Sequence, residues 1–306
     1  MASPSESASE ISERQSPQGV AYSSLTHFVN KDGQHIYTKY WEPSEGTQIR
    51  AMLHIVHGMG EHCERYAKVA KECTDNGILV FAHDHIGHGQ SEGPRADVKD
   101  FQYFVRDCNQ HIDLMRDKHK DVPLFMMGHS MGGTIGILLA YERPSLFTNT
   151  GVILMSPAIK TNPQVVTPFK LFMAKALAGL FPGAAMGKLE AHMMSRDPEV
   201  VKDYDEDPLV YHGAVKARFG TQTIAAMGRV EAGLADAKWP FLLQHGDKDV
   251  LAEISGSKLM YEKAPSNDKK FTVYEGHYHE LDKEPGGDGQ KVIKELVDWI
   301  LERLPA

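Results

Sequence analysis

The five residues Gly128-His129-Ser130-Met131-Gly132 constrain this chain more than any other stretch. The apolar run Val122 to Met127 precedes them and a helix-like run follows, so the segment reads as strand, tight turn and helix. Such a turn presses its own backbone against the positions two before and two after its apex, where only glycine fits. Ser130 is therefore expected at the exposed tip of a strand-to-helix turn, above the edge of a sheet.

The rest of the chain agrees with a helix-backed sheet. Apolar strand-like runs at Ala51 to Val56, Ile78 to Ala82, Leu124 to Met127, Val152 to Met155, Phe241 to Leu243 and Phe271 to Tyr274 alternate with helix-like stretches. That rhythm predicts an α/β fold with a mostly parallel central sheet flanked by helices. Leu25 to Asn30 and His35 to Trp41 flank the turn signal Lys31-Asp32-Gly33-Gln34 and read as an N-terminal hairpin. Between Ser156 and Trp239 the strand rhythm stops for about eighty residues, replaced by helical periodicity and Pro/Gly punctuation. Residues 157–238 are accordingly expected as a mainly helical cap inserted into a core made of 21–156 and 239–306. Val292, Ile293, Leu296, Val297, Ile300 and Leu301 form the stripe of a closing amphipathic helix. Residues 1–20, rich in Ser, Glu and Pro and without an apolar secretory core, are expected as a disordered tail on a cytoplasmic protein.

Composition excludes several classes of function. A net charge of -8 argues against a nucleic-acid partner. The three cysteines, Cys63, Cys73 and Cys108, are odd in number and lack metal-ligand spacing, which suggests a reducing compartment without a disulfide framework. No stretch reaches the roughly 18 uninterrupted apolar residues of a spanning helix, so any membrane contact is expected to be peripheral.

A serine hydroxyl is a poor nucleophile at neutral pH and needs a base within hydrogen-bond reach, itself oriented by a carboxylate. Two acids, Asp247 and Asp249, follow one strand, and two bases, His277 and His279, follow the next. Spacing does not choose within either pair. An ester carbonyl under attack also needs donors to its oxyanion. The backbone N–H of Met131 is one candidate, and that of Met59, in the glycine-rich loop His57-Gly58-Met59-Gly60, is the other.

His57-Gly58-Met59-Gly60-Glu61-His62, Phe81 to Gly93, Gly128 to Gly133 and Tyr274-Glu275-Gly276 together resemble the monoacylglycerol lipase family of α/β-hydrolases, and the similarity covers nearly everything after the tail. The resemblance implies Ser130, Asp249 and His279 as the triad, leaving Asp247 and His277 as loop residues. It implies cleavage of monoacylglycerol to fatty acid and glycerol through an acyl-enzyme, with no cofactor. It also explains His83-Asp84-His85-Ile86-Gly87-His88 as a loop beside the active site, and no metal is expected there. Glu61, Arg65 and Tyr204 fall on positions that surround the glycerol end in that family, although exposed Glu and Arg more often form a solvated face. Asp282 is a departure, because vertebrate members commonly carry histidine three residues beyond the catalytic one. A lysophospholipase or broad carboxylesterase on the same fold, an acyltransferase, and a catalytically silent ligand-binding module are the alternatives.

Pro168 to Phe181 places Phe169, Phe172, Met173, Ala176, Leu177, Leu180 and Phe181 near helical spacing, with only Lys170 and Lys175 charged. The stripe is expected either to pack on its own core or to form a lid that lines an acyl tunnel and touches the bilayer reversibly.

Overall fold

The computed structural model describes residues 14–161 and 176–304. Eight strands form one sheet: β1 (His27–Val29), β2 (His35–Trp41), β3 (Ala51–Val56), β4 (Ile78–His83), β5 (Leu124–His129), β6 (Val152–Met155), β7 (Phe241–Gly246) and β8 (Lys269–Tyr274). Their order is β1-β2-β4-β3-β5-β6-β7-β8. β1 and β2 pair antiparallel as a hairpin, β2 runs antiparallel to β4, and every pairing from β4 to β8 is parallel. This is the α/β-hydrolase fold.

The inner strands bury both faces, and the two-residue period deals their side chains to two separate cores. Met52, Val56, Leu79, Phe81, Leu124 and Met126 join the core under α2 (Gln102–Lys118), α3 (Met131–Glu142) and α5 (Ala217–Ala232). Ala51, Leu53, Ile55, Val80, Phe125 and Met127 face the opposite core, closed by α1 (Ala67–Asp75) and α7 (Asp288–Leu301). The stripe read on the last helix is what α7 buries there. Two further helices are α4 (Pro198–Glu206), before α5, and α6 (Ile254–Lys263), after β7.

Strand order reverses at β3, where β4 lies on one side and β5 on the other. In sheets of this kind ligands bind off the carboxyl ends of the strands at such a switch point. The loop after β3 and the turn after β5 meet at that place.

Residues 14–20 differ from the tail expected there. Ser16 is buried, with its hydroxyl 2.7 Å from Gln90 Oε1; Tyr22 Oη donates to the Gln90 carbonyl at 2.6 Å, and Arg14 pairs with Glu92 at 3.2 Å. Polar bonds rather than apolar burial order this stretch, which is why composition pointed the other way. Most of the Pro168 to Phe181 stripe, including Phe169, Lys170, Phe172, Met173 and Lys175, lies outside the described residues. At its end, residues 176–180 are helical, and Leu180 and Phe181 are 76% and 65% exposed.

Candidate active site

Ser130 stands between the last residue of β5 and the first of α3, with φ 54° and ψ −119°. A side-chain-bearing residue in that region stores roughly 1–3 kcal/mol of strain, which the surroundings must hold in place. Here the Ser130 N–H donates to Met155 O at 3.1 Å, while its carbonyl accepts from Gly133 and Ala158 at 3.0 and 2.9 Å. A Cβ at Gly128 would collide with the Gly132 carbonyl, and one at Gly132 with the Val56 carbonyl. Both glycines are thus demanded by the close approach of α3 to β3 and β5.

Within the two pairs the sequence left open, only one acid meets only one base. Asp249 Oδ2 accepts from His279 Nδ1 at 2.7 Å, and both side chains are buried. Asp249 Oδ1 takes the N–H groups of Leu251 and Ala252 at 2.8 and 2.9 Å, and His245 Nε2 lies 3.3 Å from Oδ2. Burial pushes this carboxyl up, yet the charge of His279 and the hydrogen bonds from His245 and His279 outweigh it and hold it far below the usual carboxylate range. Asp247 instead accepts the Gly276 N–H at 2.6 Å, pinning one loop to the next. His277 Nδ1 donates to Glu275 O at 2.8 Å, with its other nitrogen 3.6 Å from Asp288.

Ser130 and His279 line one cavity of about 250 Å³ together with Met59, Met131, Glu61 and Tyr204. Among the described residues no hydrogen bond joins Ser130 Oγ to the imidazole; bonds of this type often close only around a substrate. Met131 opens α3, so its N–H lacks a partner within the helix and lies at the positive end of the helix dipole. The cavity is also lined by the apolar side chains of Leu189, Met194, Met227 and Leu251.

The loop carrying Met59 is clamped from below. Glu61 Oε1 accepts from the Gly58 N–H at 2.6 Å, from Tyr66 Oη at 2.6 Å and from His129 Nδ1 at 3.1 Å. Burial opposes ionisation of Glu61, but the His129 hydrogen bond and charge, with Lys283 and Arg65, hold its carboxyl well below the ordinary range. Burial likewise lowers His129, and the Glu61 hydrogen bond and charge reverse this, so its pKa is raised. Arg65 lies 3.4 Å from Glu61 Oε2, donates to both Glu280 oxygens at 2.7 and 2.9 Å, and sits over the Tyr204 ring at 5.0 Å. Glu61, Arg65 and Tyr204 therefore form one buried polar wall, not a solvated face. Tyr204 Oη is buried in that wall without a hydrogen-bond partner among the described residues. Asp282 is buried 3.7 Å from Lys283 Nζ and does not line the cavity.

His129, Tyr66 and Glu280 were not singled out from the sequence. The available signal was position, since His129 and Glu280 each adjoin a candidate catalytic residue. The histidine-rich segment works as scaffolding at this end of the sheet: the His85 N–H donates to His57 Nε2 at 2.9 Å, and Asp84 accepts the N–H groups of Cys63 and Gln90 at 2.9 and 2.8 Å.

Known proteins resemble this chain over most of its length. The family described as "Serine aminopeptidase, S33" matches residues 47–286. Monoglyceride lipase of Rattus norvegicus is 44% identical over 96% of this chain and 95% of its own length, and that of Homo sapiens is 42% identical over 96% of each. The crystal structure of Paleococcus ferrophilus monoacylglycerol lipase superposes with a TM-score of 0.76 at 30% identity, covering 88% of this chain and 99% of that one.

Proposed function

The chain belongs to the serine aminopeptidase S33 family of α/β-hydrolases and, within it, to the monoglyceride lipases, and from that premise we propose that it cleaves monoacylglycerol to a fatty acid and glycerol. The observation that carries the reading is the contact of His279 with Asp249 at the cavity that Ser130 enters. In this reading His279 Nε2 takes the Ser130 proton as Oγ attacks the ester carbonyl, and Asp249 holds the Nδ1–H tautomer and stabilises the imidazolium. The Met59 and Met131 N–H groups receive the oxyanion, each donor being worth about 10²–10³ in turnover. Collapse expels glycerol, which takes the proton back from His279. A water then attacks the acyl-enzyme, with His279 again as base, and releases the fatty acid. No step calls on a cofactor.

Glu61 and Tyr204, on the cavity, take the alcohol end, held by Arg65, which contacts both but does not itself line the cavity. Among the described residues Tyr204 Oη has no hydrogen-bond partner, and a glycerol hydroxyl would satisfy it. The apolar walls take the acyl chain. Residues 157–238 act as a cap over this cavity, with 21–156 and 239–306 as the core. The exposed Leu180 and Phe181, at the end of the cap stripe, suit reversible contact with a membrane surface. Such contact matters energetically, since each methylene crossing water costs about 0.8 kcal/mol, whereas passage from bilayer to apolar cavity is nearly neutral. Among the described residues no helix is long and apolar enough to cross a membrane. We place the enzyme in the cytoplasm, bound peripherally to membranes.

A hydrolysis panel tests substrate and reaction together. Monoacylglycerols are expected to turn over fastest, ahead of lysophospholipids and short carboxylic esters, and a fluorophosphonate is expected to label Ser130 stoichiometrically. Faster release of fatty acid from lysophospholipid would transfer the assignment to a lysophospholipase; failure of the folded protein to label would make it a silent binding module.

A further inference from the structure

Three histidines distant in sequence meet inside the core between the sheet and α2. His54 comes from the middle of β3, His83 from the end of β4 and His111 from α2, and all three are buried. The parallel register sets His54 beside Phe81, and the two-residue period turns His83 to the same face as Phe81. His111 lies against both, with ring centroids 5.6 Å from His54 and 5.2 Å from His83. One ring nitrogen from each histidine falls within 4.8 Å of the other two.

The hydrogen bonding of the trio is lopsided. Both ring nitrogens of His54 are buried with no partner among the described residues. His83 and His111 meet Nδ1 to Nδ1 at 3.1 Å. Their outer nitrogens are occupied, His111 Nε2 by Tyr40 Oη at 3.1 Å and His83 Nε2 by Cys108 Sγ at 3.8 Å. Imidazoles that hold a metal divide their nitrogens in this way, one toward the ion and one toward an outer group that fixes the ring. A buried imidazole with neither nitrogen bonded, as at His54, is a cost that an ion would remove.

We propose that His54, His83 and His111 hold one transition-metal ion of the imidazole-seeking class, Zn²⁺ or Cu⁺, in a structural site that ties β3, β4 and α2 together. The all-nitrogen donor set excludes Mg²⁺ and Ca²⁺, which demand oxygen. Ring shifts on the order of 1 Å bring the three nitrogens to the usual ligand distance of about 2.0–2.1 Å. The site is separate from the chemistry, because none of the three histidines lines the Ser130 cavity. Sequence hid it: His54 reads as part of an apolar strand, and only His83 belongs to the histidine-rich segment.

The test uses the full chain, unfolded and refolded in chelator-treated buffer alone, with Zn²⁺, or with Cu⁺ under reducing conditions, then desalted. About one ion per chain by elemental mass spectrometry, with Tm raised by about 5 °C, is expected in one metal arm, and the arm names the ion. His54→Phe, which keeps a flat ring against Phe81, is expected to lose the ion and the Tm gain while monoacylglycerol hydrolysis persists. Absence of bound ion and of any Tm gain in both wild-type arms overturns the proposal, and so does equal retention by folded His54→Phe. Should His54→Phe fail to fold, His111→Gln is read by the same two measurements, and the wild-type arms decide if neither variant folds.

Discussion

His129 and His279, beside the cavity, each face a carboxylate, Glu61 at 3.1 Å and Asp249 at 2.7 Å, whereas His57, His85 and His88, one loop away, bond only to backbone and to one another. All five are buried. Burial lowers the pKa of the second group, His88 to about 3, but at His129 the hydrogen bond and charge of Glu61 overcome burial and raise it. A buried imidazole without a carboxylate is held neutral and serves as a rigid spacer, bonded to backbone through both ring nitrogens at His57 and through one at His85 and His88. The same ring beside a carboxylate can accept a proton at little cost and hand it on. Disturbing the spacers His57, His85 and His88 should therefore be read in stability, and disturbing His129 and His279 in rate.

The largest effect expected is on the reacting row itself. Ser130→Ala and His279→Ala should each lower kcat by about 10⁴-fold or more with Tm near wild type, since each removes a side chain that acts as part of one unit. Turnover by Ser130→Ala above trace contamination would end the nucleophile assignment. Asp249→Asn should come next, at about 10⁴-fold or somewhat less, because the amide can still accept from the Leu251 and Ala252 N–H groups but no longer enforces the His279 tautomer. A variant that lost Tm and kept kcat would move Asp249 into the spacer group.

The fold was legible because the constraints that build it are local. The apolar runs of β3, β4 and β5, the glycines flanking Ser130 and the stripe on α7 each follow from residues a few positions apart. Only the three-dimensional arrangement separates Asp249 from Asp247 and His279 from His277, since each pair sits two residues apart in one loop and partner loops come from different strands. The Glu61–His129–Tyr66 clamp joins the loop after β3 to the end of β5, and Arg65 bridges from there to Glu280 after β8; no periodicity encodes such contacts. Residues 14–20 were misread for a related reason, their order resting on Gln90 and Glu92 about seventy residues away.

A smaller, graded effect is expected from pH. The unfolded chain protonates His57 and His88 near their ordinary value of about 6.5, while the folded protein keeps them neutral further down, His88 to about 3. Between those limits the unfolded state binds more protons, so the stabilising contribution is complete above pH 6.5 and is lost as pH falls. Melting curves should show Tm declining from about pH 6.5 toward pH 4, and His88→Phe should flatten that slope while leaving kcat within a few-fold. An unchanged slope in the variant would break the spacer reading of His88.

The smallest effect should come from His277, two residues from His279 and indistinguishable from it by spacing. Its Nδ1 bonds to the Glu275 carbonyl within its own turn, and its other nitrogen stands toward Asp288, away from Asp249. His277→Gln removes a turn bond worth about 1 kcal/mol and nothing that reaches the cavity. Turnover should stay within about twofold of wild type, and Tm should fall by a few degrees at most. A loss of kcat approaching that of His279→Ala would mean that the loop after β8 rearranges in the working enzyme to bring the other imidazole to Ser130, and the division between the two histidine groups would have to be redrawn at that loop.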